Sequence, residues 1–260
     1  MTLADDRTAD WKQRVNDLQR IQYLAQMYAG CAQTPCKFST NAFVNAASKL
    51  VPCLIAQVLC LRSQNAIEAG AAIQMLAEAL QDDFESAAFR LLTKDALVKL
   101  IHAGKHILAE IGTNTVIGIL RNVCSVKVVQ RLSQEMQESR STYVQKISGM
   151  FLLEIVSIFP RDTILSLAAL FRGYMKHCVT NQNGDCRAFG RKALLIWQQL
   201  DHDNSERVFH GVEQAVQRAI LEDEFKYAVH AIRGDNLLAL THTVHGNAPP
   251  PLPRAASGRG

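Results

Sequence analysis

Every sustained apolar pattern in this chain repeats with the period of a helix, and no segment alternates with the period of two that a strand requires. Helices are predicted near residues 12–28, 40–59, 64–80, 84–101, 105–112, 115–136, 142–158, 162–177, 187–200 and 204–232. Turn-forming clusters separate them: Gly30 to Pro35, Gln81-Asp82-Asp83, Gly112-Thr113-Asn114, Pro160-Arg161-Asp162, Asn181 to Asp185 and Asp201 to Ser205. Asn183-Gly184 is a turn signal, and Pro160 cannot continue a helical hydrogen-bond ladder. With 260 residues, such a chain folds as an all-α protein with a sizeable core.

The helices pair with a rough period of about 40 residues, the size of a HEAT-type helical hairpin. Residues 40–80, 84–112, 114–158, 162–200 and 201–232 each fit one hairpin. Residues 1–28 form an N-terminal capping hairpin whose first helix is short or missing. A lone hairpin cannot bury its apolar face, so successive hairpins stack into an α-solenoid. A closed helical bundle is the competing arrangement. These hairpins define a domain over residues 1–235. Residues 236–260, with Gly246-Asn247-Ala248-Pro249-Pro250-Pro251-Leu252-Pro253-Arg254, read as a disordered Pro/Gly-rich linker of a longer protein.

Several functions find no support. Hydrophobic residues make up 48% and charged residues 20% of the chain, a globular balance. A formal charge of +4 does not by itself call for nucleic acid. The longest apolar stretch, Met150 to Phe159, contains Glu154 and is too short to span a bilayer. No basic start precedes an apolar run, so no signal peptide is read and a cytoplasmic location is expected. Seven cysteines at irregular spacing, with no CxxC pair, fit buried thiols better than zinc ligands or disulfides. His102 and His106 are one turn apart, but Ala103 stands where a metalloprotease carries Glu. Glu222-Asp223-Glu224 spreads around a helix and reads as solvated surface. Asp201 and Asp203 read as helix caps. With no phosphate loop and no nucleophile elbow, neither an enzyme nor a bound metal or cofactor is expected.

The turns themselves carry the functional signal. Asp10, a candidate N-cap, precedes Trp11, Lys12 and Arg14 at the start of an amphipathic helix. Val15, Leu18, Ile21, Leu24, Ala25 and Tyr28 would face its core. Trp11, placed just before that helix, can either staple the helix start or face outward as an interface anchor. The following hairpins have Leu61-Arg62-Ser63-Gln64-Asn65, then His102 to His106 around Lys105, then Ser139-Arg140-Ser141-Thr142-Tyr143 with Lys146, then Asp185-Cys186-Arg187 with Arg191 and Lys192. In a solenoid, equivalent turns fall on one edge, which turns Trp11 outward at the end of a basic ridge suited to an acidic protein surface.

Asp10-Trp11-Lys12-Gln13-Arg14-Val15 and Leu61-Arg62-Ser63-Gln64, with Arg140-Ser141, Val144 and Asp185, Arg187, Arg191-Lys192, are similar to motifs of one family. The chain resembles a TOG domain of the cytoplasmic linker-associated protein (CLASP) type over about residues 10–220. That resemblance implies a paddle of six HEAT repeats whose intra-repeat loops bind α/β-tubulin or the microtubule, with other microtubule-associated proteins as further partners and neither nucleic acid nor membrane. Trp11 would meet β-tubulin. Arg62, Lys105 and Arg140 would line the middle, and Arg187, Arg191 and Lys192 would lie towards α-tubulin, with Lys12, Arg14, Ser63 and Lys146 completing the expected tubulin-binding set. The implied role is regulation of microtubule dynamics, by rescue or suppression of catastrophe, including at the spindle. A HEAT adapter that ignores tubulin is the alternative. Three features depart from the family pattern: Val126 to Met136 lengthens a first helix, Gln145-Lys146 replaces a run of arginines, and the first helix of the first repeat is poorly defined.

Overall fold

A computed structural model of the chain describes residues 11–31, 40–60, 62–137 and 139–232. Asp10, Leu61, Cys36, the residues between Cys31 and Thr40, and residues 233–260 lie outside that range, as do the candidate cap, the first letter of the second turn and the linker reading. The helices are α1 (Trp11–Cys31), α2 (Thr40–Val58), α3 (Ser63–Leu80), α4 (Glu85–Leu91), α5 (Leu97–Ile101), α6 (His106–Asn122) and α7 (Val126–Gln137). They continue with α8 (Thr142–Ile158), α9 (Arg161–Ser166), α10 (Ala168–Val179), α11 (Gly184–Leu200), α12 (His202–His210) and α13 (Gln214–Ile232).

Packing runs from each hairpin to the next, as a solenoid requires and a closed bundle does not. One row is α1, α3, α6, α8, α11 and α13, each packed on its successor. The second row is α2, α4, α7, α10 and α12. Turns within a hairpin, from the second row to the first, lie at one edge, and turns between hairpins lie at the other.

The apolar faces close a continuous core between the rows. Trp197 of α11 and Phe171 of α10 are fully buried and meet edge to face at 6.0 Å between centroids. The Tyr174 hydroxyl donates to the Ser148 carbonyl at 2.8 Å and accepts from the Ser148 hydroxyl, tying α10 to α8. Burial pushes the Tyr174 phenol well up, so it stays a donor. Small residues let neighbouring helices approach. A side chain at Gly149 would press the Cys186 carbonyl, and one at Gly190 would press Cys178.

Helix boundaries differ from expectation at five places. Residues 84–101 are not one helix: a tight helical turn (Gln81–Phe84) leads into α4, and the chain bends before α5. Leu91, Leu92, Leu97 and Val98 are all buried, whereas on one straight helix they would spread over roughly 220° of its circumference, wider than a single apolar stripe. The break expected at Gly112-Thr113-Asn114 is absent. Gly112 is there for packing, because a Cβ would sit 2.8 Å from that of Leu100. Thr113 and Thr115 turn their hydroxyls back onto the carbonyls of Ala109 and Ile111 inside α6. The chain breaks at Val123 to Ser125 instead, where the Ser125 hydroxyl accepts from the Val128 amide. Val126 to Met136 therefore forms most of a separate second-row helix rather than lengthening its predecessor, and the hairpins run over 85–122 and 126–158.

The other differences are smaller. Residues 162–177 are interrupted at the buried Leu167, and residues 204–232 by Gly211-Val212-Glu213. Trp11 lies in α1 rather than in a loop. Leu24, expected in the core, is 51% exposed, whereas Leu18, Ile21 and Ala25 are buried. Of the five described cysteines only Cys178 and Cys186 are buried. Cys53, Cys60 and Cys124 are half-buried.

Gly190→Ala tests the close packing of α10 and α11. The added methyl meets the Cys178 Cβ at 2.8 Å, its carbonyl carbon at 2.9 Å and the Val179 nitrogen at 3.0 Å, and backbone cannot swing aside. The expected loss is about 2 kcal/mol in urea unfolding. An unchanged midpoint would mean the two helices are not held this tightly.

Candidate functional site

At the within-hairpin edge each turn is closed by its own chemistry. Ahead of α3, the buried Asn65 amide donates to the Gln57 side chain at 3.1 Å, clamping the end of α2 to the start of α3. Arg62 is the extended residue before α3. Ahead of α6, Lys105 has the same role, its carbonyl accepting from Leu108 and Ala109. Ser141 caps α8, its hydroxyl accepting from Val144, and the Ser139 hydroxyl accepts from the Ser141 amide. Asn183 caps α11 by accepting from Cys186 at 2.9 Å, while its own amide donates to Asn181 Oδ1.

Contacts between neighbouring turns place them in register. The Arg62 guanidinium lies over the Trp11 ring at 5.4 Å, and Lys12 Nζ lies 5.9 Å from the same ring. Gln19 and Gln22 of α1 both donate to Glu68 of α3. His106, at the start of α6, meets Tyr143 at the start of α8, edge to face at 6.5 Å. The Asn183 side-chain amide donates to the Thr142 carbonyl at 3.1 Å, and Lys146 pairs with Asp185 at 3.1 Å. The first-row helices thus run parallel, with their N-termini along one edge.

The predicted residues divide into three groups. Trp11, Lys12, Arg62, Ser63, Lys105 and Arg140 are exposed at the edge. Trp11 is 37% exposed, with two cations near its ring, so it does not staple the helix start. Arg14, in the first turn of α1, and Lys146, at the start of the second turn of α8, are half-buried in the same row. Arg187 is also half-buried, and its guanidinium donates to the Asn181 and Gln182 carbonyls at 2.8 Å each. It builds its turn while standing in it. Arg191 and Lys192 lie about two turns further along α11, roughly 10 Å behind the edge. Arg191 is drawn onto Asp223 of α13 at 2.6 Å, with side chains only 18% and 15% exposed. Asp223 is therefore an inter-helix partner rather than solvated surface.

Electrostatics separates the two edges. No acidic residue stands in the first turn of α1, α3, α6 or α8, and Asp185 in α11 is answered by Lys146. The positive ends of these helix dipoles therefore add to the basic side chains. Acidic residues gather at the opposite edge: Asp82 and Asp83, Glu85, Asp162 and Asp203. Asp82 and Glu85 also fasten neighbouring turns there. Asp82 accepts from the Cys124 amide, and Glu85 accepts from the Ser125 hydroxyl and from Lys127. These two bonds hold the Glu85 carboxyl below its ordinary range, the Ser125 bond foremost.

Sequence reasoning missed the Gly211 to Glu213 turn, which is hidden by continuous apolar periodicity on both sides. It also missed the capping roles of Ser141 and Asn183, although Ser and Asn before a helix are visible cap signals. Among the described residues, no three His, Cys, Asp or Glu side chains gather as a metal site, and no helix is long and apolar enough to cross a membrane. His106 pairs instead with Glu110 at 3.7 Å.

A parallel stack of HEAT-like hairpins, with one edge basic and crowned by a tryptophan, is the architecture of a TOG-type binding domain. The chain belongs to the CLASP N terminal family, whose pattern matches residues 7–221. It is 23% identical over 216 residues to the CLIP-associated protein of Arabidopsis thaliana. That match takes in 83% of this chain but only 14% of the relative's length. A chain solved in work on the structural basis of microtubule plus-end tracking by XMAP215, CLIP-170 and EB1 shares the fold at a TM-score of 0.59 and 15% identity. The alignment covers 85% of this chain and 87% of that one.

Two outcomes check this geometry. Arg191→Met leaves Asp223 with only the exposed Lys226, 3.4 Å away, as a partner and is expected to cost about 1 kcal/mol in urea unfolding, as loss of one hydrogen-bonded member of a mostly buried pair does. A change within experimental error would return Arg191 to the role of a free surface cation. Burial holds the His177 imidazole below the ordinary histidine range, and His177 Nε2 lies 3.3 Å from Asn181 Nδ2, within the fifth turn. The unfolded chain therefore binds the proton more readily, and stability present above that range is lost as pH falls through it. The urea midpoint should drop from about pH 7 to about pH 5, and less so in His177→Gln. Equal drops would remove His177 as a source.

Proposed function

We propose that this domain binds the α/β-tubulin heterodimer, free or at the microtubule end, through the edge formed by its within-hairpin turns. The observation that carries this reading is the register of those turns, which sets Trp11, Arg62, Lys105 and Arg140 along one basic border. Trp11 is the apolar anchor at one end, with Arg62 and Lys12 both near its ring. Arg14, Ser63, Lys146 and Arg187 extend the contact. Arg191 and Lys192 act from behind it, Arg191 by holding α11 to α13. Family membership, the relative named for CLIP association and the fold shared with a plus-end-tracking assembly support the same partner.

The mechanism is docking of a rigid edge on an acidic protein surface, and no chemical step is assigned to it. Through it the protein would act on microtubule dynamics, favouring rescue or suppressing catastrophe, on the microtubule cytoskeleton and at the spindle. Residues 1–235 would be the binding domain and residues 236–260 a linker to further parts of a longer protein.

Trp11→Glu places a carboxylate at the anchor and should abolish co-elution with purified tubulin on size exclusion, a loss of about 2 kcal/mol or more, with helical content unchanged. Wild-type affinity should fall as salt is raised. A Trp11→Glu protein that co-elutes like wild type would remove the anchor. No complex at low salt would replace the tubulin reading with that of an adapter for another protein.

A further inference from the structure

Just behind the basic edge, α3 and α6 leave a cleft of about 320 Å³ between them. Ile67, in the second turn of α3, and Ile107, in the first turn of α6, line it and are 44% and 56% exposed. Gly70 and Ala71 add walls without bulk, and Gln74, Glu110, Asn114 and Thr115 supply its polar atoms. Further in, the two helices close up. A Cβ on Gly70 would lie 2.7 Å from Thr115 Oγ1, and one on Gly118 would lie 2.5 Å from Gln74 Cγ. The cleft is therefore open next to the edge and shut behind it by close helix contact.

Two large aliphatic side chains left half in water on facing helices are unfavourable unless something covers them. Charge restricts what does. Arg62 and Lys12 stand beyond the α3 end of the cleft and Lys105 beyond the α6 end, so a partner aligned on the edge presents acidic groups to either side. Inside, Glu110 repels a carboxylate, and most of the exposed wall is apolar. An uncharged aliphatic side chain on an otherwise acidic surface satisfies both conditions.

We propose that this cleft receives an aliphatic side chain of the docked tubulin surface, making Ile67 and Ile107 a second apolar anchor between Trp11 and Arg140. The inference rests on the tubulin reading above. It assigns part of the affinity to shape and apolar contact behind the edge, in addition to charge along it.

Tubulin affinity separates the two ideas. In Ile67→Gln/Ile107→Gln the dissociation constant for purified α/β-tubulin should rise about tenfold while its slope against salt is unchanged, because no cation is removed. Arg62→Ala should weaken binding and flatten that slope. Ala71→Phe, which fills the cleft from its own wall, should match the double glutamine variant, and Ile67→Leu/Ile107→Leu should restore binding. Ile67 and Ile107 are exposed, so helical content and thermal midpoint should hold. Wild-type affinity in both the glutamine and the Ala71→Phe proteins overturns the cleft and leaves the basic edge standing. Absence of binding by the wild-type chain overturns both.

Discussion

Parallel alignment of the first-row helices is the constraint on which the rest of this structure depends. Each hairpin buries its apolar face only against the next, so the chain repeats one motion: out along the second row, back along the first. Every first-row helix then starts at the same edge. Asn183 donating to Thr142, Arg62 over Trp11 and His106 against Tyr143 fix how far one start is shifted from its neighbour. Close approach at Gly149 permits the same register between α8 and α11. A side chain large enough to part those helices would move turns, not merely loosen the core.

Polarity follows from the same alignment. Parallel helices bring the positive ends of their dipoles to one border, where acidic first-turn residues would ordinarily neutralise them. Here five of the six first-row helices carry none, and the basic turn residues reinforce the field. At the opposite border Asp82 and Glu85 both counter the charge and tie successive turns together. One set of acidic residues thus serves structure, and the first-row edge keeps its positive charge.

Much of the candidate site was legible in the sequence, because turns that must stay outside a core announce themselves by polarity. Arg62, Lys105 and Arg140 could be placed from spacing alone once the hairpin period was recognised. Arg191 could not, because its partner Asp223 lies 32 positions away and belongs to another helix. The boundary near residue 112 misled for a related reason. Gly-Thr-Asn is a loop composition in isolation, yet Gly112 is required where Leu100 presses against α6, and both threonine hydroxyls find helical carbonyls. Tertiary contact decided what local chemistry left open.

By itself the sequence determined the all-α class, the hairpin repeat, the tryptophan-led series of basic turns and the family likeness, since these rest on short-range periodicity and composition. Only the tertiary structure decided which cations are exposed at the edge and which are clasped, that Arg62 and Lys12 both approach the Trp11 ring, and that α3 and α6 part to expose Ile67 and Ile107. Those outcomes depend on helix register, which is set by close packing and by hydrogen bonds between residues dozens of positions apart. No local pattern in the chain encodes such distances.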